Sequence, residues 1–118
     1  MLVCNYQLDF GEFVIRTALI KKYAKKSRHH HFHHVVFLTK GGNIVSVGWN
    51  LERTHAEVSA LGKIWPSERE GLCLWSFRVG RSGKLAMAKP CSKCQKIIQQ
   101  SGISSIRFSD SSGKICSM

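Results

Sequence analysis

The chain has 118 residues and carries 18 lysines and arginines against 7 aspartates and glutamates, a net charge of +11. That length suits one folded core, read here as a single domain over residues 1–118, and excludes a two-domain enzyme. Hydrophobic content of 43% against 21% charged excludes a disordered basic tail, so the charge must sit on a folded surface, where it favours a polyanionic partner.

No apolar run is long enough to span a bilayer. Lys21 and Lys22 follow the first apolar stretch rather than precede it, which is not the order of a secretion signal. The expected location is the cytoplasm, with no membrane partner. Five cysteines is an odd number, better suited to thiols or metal ligands than to a disulfide framework.

Glu12 to Lys26 reads as an amphipathic helix, with Phe13, Ile15, Ala18, Leu19, Ile20 and Tyr23 on its apolar stripe. A tract of five histidines, His29 to His34 broken by Phe32, leads into the strand-like run Val35 to Leu38 and reads as a surface strand entry. Lys40-Gly41-Gly42-Asn43 is a hairpin signal, and Ile44 to Trp49 is the return strand. Thr54 is a suitable cap for a helix that runs through Leu61 and stops at Gly62 or Pro66. Leu72 to Val79 is a strand and Gly80 to Lys89 a loop. A helix opens at Pro90 and ends by Gly102, Ile103 to Phe108 is a strand, and Lys114 to Cys116 a short last one. Strand–helix–strand alternation in the second half implies parallel crossovers. Trp75, in mid-strand, reads as core, and Cys4, Cys73 and Cys116 as buried hydrophobes or idle thiols.

Two motifs carry chemistry. Thr54-His55-Ala56-Glu57 and Pro90-Cys91-Ser92-Lys93-Cys94 each follow a predicted strand and open a predicted helix. In an open α/β sheet such turns gather at the carboxyl ends of the strands. Cys91 and Cys94, three apart, face one way on a helix, and its N-terminal end favours thiolates. His55, Cys91 and Cys94 make three zinc ligands, and three leave a position for water. Glu57 can reach the same point if the metal lies off the end of the helix, and a carboxylate there can move protons. Cys-x-x-Cys alone could be a redox pair or a structural zinc site, but the flanks lack a thioredoxin-like pattern.

The joint pattern, H-x-E after one strand and P-C-x-x-C after the next, resembles the zinc-dependent nucleobase deaminases of the cytidine deaminase-like superfamily. The resemblance runs from about Val35 to Phe108. Val47-Gly48-Trp49-Asn50 resembles the strand end of tRNA adenosine and deoxycytidylate deaminases, where the asparagine contacts sugar or base. The whole chain also resembles small deaminase-like proteins of bacteriophages, which would act in the host cytoplasm. The resemblance implies a three-layer α/β/α fold with a mixed sheet of about five strands and a short antiparallel C-terminal strand. It also implies hydrolytic deamination, with zinc held by His55, Cys91 and Cys94. Zinc-bound hydroxide would attack the amino-bearing carbon, Glu57 would shuttle protons, and Asn50 would orient the nucleotide.

Cytosine is the expected base, within DNA or less readily RNA. The alternatives are free deoxycytidylate or cytidine, RNA or tRNA adenosine, and a silent nucleic-acid-binding module, against which Glu57 argues. Lys89 stands where the tRNA adenosine deaminases carry glutamate. The expected substrate contacts are Asn50, Trp49 as a stacking platform, and Arg78, Arg81, Lys84, Ala88 and Lys89 on the way into Pro90-Cys91. The basic residues from Arg78 to Lys89 should ring the zinc pocket of a monomer.

Overall fold

The computed structural model describes residues 3–6, 17–27, 33–51, 54–103 and 105–118, with backbone alone for 3–6. Residues 12–16 of the expected first helix, Arg28 and the tract through Phe32 lie outside the described residues, as does the side chain of Cys4.

The fold is built on β2 (His33–Lys40), which is buried on both faces. Its residues alternate, Val35 and Phe37 to one side and Val36 and Leu38 to the other, so each face seeds its own core. Gly41 and Gly42, both at positive φ, form the tight turn into β3 (Asn43–Trp49). On its other edge β2 pairs antiparallel with β4 (Cys73–Val79). Since β3 and β4 both run against β2, they run parallel to each other. β4 then pairs in parallel with β6 (Ser105–Ser109), reached through α3 (Ser92–Gln100).

α1 (Thr17–Ala24) covers the Val35 and Phe37 face with Ile20 and Ala24, joined by Phe77 and Val79. α2 (Ala56–Leu61) and α3 cover the opposite face, packing Ala60, Leu61 and Ile98 onto Val36, Leu38, Leu74 and Ile106. The three-layer arrangement and mixed sheet agree with expectation, as does the short antiparallel strand β7 (Ile115–Ser117) against β6. Trp75 is core, its indole N–H donating to Thr39 Oγ1 at 3.0 Å. Among the described residues, no helix is long and apolar enough to cross a membrane.

The sheet has seven strands rather than about five. β1 (Val3–Tyr6) closes the outer edge of β7, an edge that the local pattern gave no reason to expect occupied. β5 (Leu85–Ala86) lies in the stretch read as loop and pairs with Arg78 and Val79, continuing the β4 edge beyond the end of β6. Both helix starts shift inward. Thr54 is held by paired backbone hydrogen bonds with Leu51, so His55 rather than Thr54 caps α2. Pro90 stays ahead of α3, and Cys91, in extended conformation, is the cap. Cys116 is buried, as expected, but disulfide-bonded rather than idle.

Gly48 sets how closely α2 approaches the sheet. A Cβ there would lie 2.9 Å from Ala60 Cα and overlap the backbone of Ala56 and Ala60. Backbone cannot swing aside as a flexible side chain can, so α2 would have to lift and take His55 and Glu57 with it. Gly48→Ala is expected to cost about 1–3 kcal/mol of stability by overpacking. Chemical denaturation monitored by circular dichroism measures this, and an unchanged midpoint would contradict the close packing.

Candidate metal centre and active site

The parallel relation of β3 and β4 brings the chain segments that follow them to one end of the sheet. His55 ends one segment and Cys91 the other, each as the cap of its helix. The ligand atoms of His55, Cys91 and Cys94 lie within 4.8 Å of one another, with Cys94 Sγ 3.3 Å from His55 Nδ1. Donors bound to one tetrahedral zinc stand about 3.5–3.8 Å apart, given bonds of about 2.0–2.3 Å. One imidazole and two sulfurs at this spacing fit zinc. His55 and Cys91 are exposed and Cys94 is buried, so the cluster lies at the surface with its floor inside. Burial, then the nearby Glu57 charge, push the Cys94 thiol up to about 12. The Cys94 amide, at the start of α3, pulls the Cys91 thiol down. A bound cation favours both as thiolates.

Glu57 lies in the first turn of α2 with only 2% of its surface exposed. Burial raises the pKa of its carboxyl, partly offset by backbone hydrogen bonding and by His55 and Arg78. Among the described residues its Oε1 has no hydrogen-bond partner.

The nearest basic group is His34 Nδ1, 3.7 Å away, from a residue read as part of a surface tract but in fact 4% exposed. Its other ring nitrogen, Nε2, is 2.6 Å from Ser76 Oγ, and Ser76 donates to the Ala88 carbonyl at 2.7 Å. Ser76 has one hydrogen, and the carbonyl takes it. Nε2–H is therefore the donor to Ser76, and Nδ1 is the bare nitrogen facing Glu57. Burial first, then Arg78 and His55, hold this imidazole neutral with a pKa lowered to about 3. A signal for His34 was available: stepping back by two from Leu38 through Val36 puts it on the site-facing side of β2.

Asn50 sits where β3 ends. Its Oδ1 accepts from the His34 backbone N–H at 3.0 Å and from the Ser27 hydroxyl, and its own N–H donates to the His34 carbonyl. Arg78 lies opposite His34 on β4, and its Nε is buried with no partner among the described residues. Ala88 is fully buried, its N–H given to the Ser109 carbonyl and its own carbonyl to Ser76. Lys89 is exposed, just before Pro90. Arg81 and Lys84 are exposed in the turn between β4 and β5, where the Lys21 ammonium lies against Gly83. That turn meets α1, on the opposite face of the sheet from α2 and α3. Trp49 is on the α1 side too, its ring set against Tyr23, Lys26 and Lys63. Lys93, which the motif reading passed over, joins Thr54, His55, Val58, Cys94 and Ile97 around a cleft of about 200 Å³.

An α/β/α sheet with an imidazole, two thiols and a buried carboxyl at two neighbouring helix starts has the build of a zinc-dependent hydrolytic deaminase. A family model, the cytidine and deoxycytidylate deaminase zinc-binding region, matches residues 12–110, and the chain belongs to that family. Among solved structures it is similar to the dCMP deaminase of the cyanophage S-TIM5, with 20% identity over 82% of this chain and 86% of that one, at a TM-score of 0.52. It is also similar to Acinetobacter baumannii RibD, with 13% identity over 80% of this chain and a TM-score of 0.54, spanning only 25% of that longer protein. No curated protein matches the chain in sequence.

Two predictions follow from this geometry. His55→Ala, Cys91→Ser and Cys94→Ser should each lower the zinc content of purified protein well below one per chain, while Cys73→Ser leaves it unchanged. Elemental analysis reads this directly.

The second concerns acid. Unfolded, His34 protonates near its ordinary 6.5, whereas folded it does so only near 3. Its contribution to stability is whole above about 6.5 and is lost as pH falls toward 3, by up to about 1.4 kcal/mol per pH unit. The raised Glu57 works in the opposite sense but is common to wild type and a His34→Gln variant. Between pH 7 and 4.5 the melting temperature of wild type should fall more steeply than that of the variant. Equal slopes would show that His34 is not a buried neutral base.

Proposed function

We propose that the chain hydrolytically deaminates cytosine to uracil within a nucleic-acid strand, DNA being the preferred carrier. The observation that carries this reading is a pair of buried polar atoms, Glu57 Oε1 and Arg78 Nε, that have no hydrogen-bond partner among the described residues, in a fold that also gathers a three-donor metal cluster. An orphaned acceptor and an orphaned donor are costly in a folded protein unless a ligand completes them.

Zinc, held by His55, Cys91 and Cys94, supplies an acidified water when bound. Glu57 then does the proton work. Its carboxyl takes a proton from water and delivers it to the ring nitrogen N3, then takes the remaining proton from the new C4 hydroxyl and carries it to the departing amine. A C4–O bond forms, the C4–N bond breaks, and ammonia leaves. The raised Glu57 pKa suits a group that must both accept and give a proton near neutrality. Asn50, fixed at the end of β3 by its hydrogen bonds with His34 and Ser27, contacts the sugar or base. Arg78 donates to the base carbonyl or an adjoining phosphate. Lys89 and Lys93, exposed at the approach to α3, hold the strand by charge.

The exposed rim formed by His55 and Cys91 favours a base presented on a strand over one fully enclosed. A second reading, a free deoxycytidylate deaminase, is favoured by the structural likeness to the cyanophage dCMP deaminase.

Glu57→Gln should retain zinc and lose ammonia release by at least about a hundredfold, the lower range for a general acid–base group. Full activity in that variant would overturn the mechanism. Wild type offered single-stranded DNA, duplex DNA, RNA, cytidine and deoxycytidylate separately should convert single-stranded DNA fastest. Turnover of deoxycytidylate with none on any polynucleotide would establish the second reading instead.

A further inference from the structure

We propose that Lys22, Lys26 and Lys63, gathered around the Tyr23–Trp49 ring pair, form a phosphate-binding strip that carries the single strand flanking the target base. The proposal rests on the polynucleotide reading above and places the main grip away from Arg81 and Lys84.

The Tyr23 and Trp49 rings lie 22° from parallel with centroids 6.1 Å apart. Lys26 Nζ is 5.5 Å from the Tyr23 centroid and 5.0 Å from that of Trp49, Lys22 Nζ is 5.7 Å from Tyr23, and Lys63 Nζ is 4.5 Å from Trp49. Lys63 also donates to the Val47 carbonyl. Three ammonium groups from two layers of the fold therefore share one aromatic pair along the edge strand β3.

This arrangement works against the folded state. Lys22 and Lys26 both stand at the Tyr23 ring, where their like charges repel. Among the described residues Lys22, Lys26 and Lys63 form no ion pair, and the acidic groups are a buried Glu57, Glu68, Glu70, and Asp110 in its own turn. The rings hold the lysines in place by cation–π attraction while each ammonium keeps hydrogens for an anion. Trp49 is thus an anchor for cations rather than a platform for a base.

The strip is placed for a strand leaving the site, because Trp49 is the last residue of β3 and Asn50 follows it directly. A strand whose base is seated at Glu57 continues past Asn50 with a phosphate at every nucleotide. A single mononucleotide has no phosphate to reach Lys22 or Lys63 in this way. A repeating anion, rather than one phosphate or an apolar partner, is the occupant that a row of cations fits.

The test is fluorescence anisotropy of zinc-loaded full-length protein with a labelled oligothymidylate, which contains no reactive base, across a salt series. In Lys22→Gln/Lys26→Gln/Lys63→Gln the dissociation constant should rise at least tenfold. The slope of log affinity against log salt should flatten by about 2, near 0.7 per lost contact. Circular dichroism checks that the variant is folded, and Lys40→Gln/Lys114→Gln should bind as wild type does. An unchanged affinity and slope in a folded triple variant would overturn the proposal. So would failure of wild type to bind the oligonucleotide at low salt, or binding to anionic lipid vesicles in its place. Oligonucleotide binding that depends on the three lysines, with deamination confined to deoxycytidylate, would uphold the strip and overturn the polynucleotide reading of the active site.

Discussion

One buried histidine ties the segments of the candidate site together. The His34 ring reaches Ser76 and through it the Ala88 carbonyl, three residues before Cys91. Its backbone N–H and carbonyl both pair with Asn50, at the end of β3. Its remaining nitrogen faces Glu57 from across the α2 interface. Asn50, Glu57 and the approach to Cys91 come from three separate stretches of chain, and none touches the others through secondary structure alone. A neutral imidazole with one donor and one acceptor can serve them together, because the single hydrogen of Ser76 decides which nitrogen does which.

Charge is distributed by the same architecture. The sheet separates two basic regions. Arg78 lies beside Glu57, Lys93 lines the cleft with His55 and Cys94, and Lys89 is exposed just before Pro90. Lys21, Lys22, Lys25 and Lys26 lie with α1 on the other side, and the turn carrying Arg81 and Lys84 folds toward them. Lys63 bridges the two at the β3 edge. The net charge is therefore not one halo around the pocket.

The metal centre was legible because it is encoded locally. Each helix-start motif carries its own spacing, and the strand–helix–strand order is enough to bring the two starts to one end of a sheet. Cys91 and Cys94 need only the helical repeat to converge. The hairpin at Gly41 and Gly42 was legible for the same reason, since positive φ at two successive residues is a local demand. β1 and β5 were not legible, because each is short and exists only through an edge that distant residues provide. The role of His34 was obscured by its neighbours, since it is one of five histidines in a tract that composition cannot tell apart. Trp49 was read as a base platform beside Asn50, and the contact that its segment could not announce is Tyr23, which arrives from α1 to lie against the ring.

The sequence by itself determined the class of chemistry and the three residues that could hold the metal, because ligand type, ligand spacing and helix starts are properties of short segments. Tertiary structure decided which atoms are left without partners, how the imidazole is oriented, and on which face of the sheet each cation lies. Those depend on burial and on contacts between residues far apart in the chain. A net charge of +11 favours a polyanionic partner but gives no place for it on the surface. Only the packing of α1 against the β3 edge places its lysines around one pair of rings.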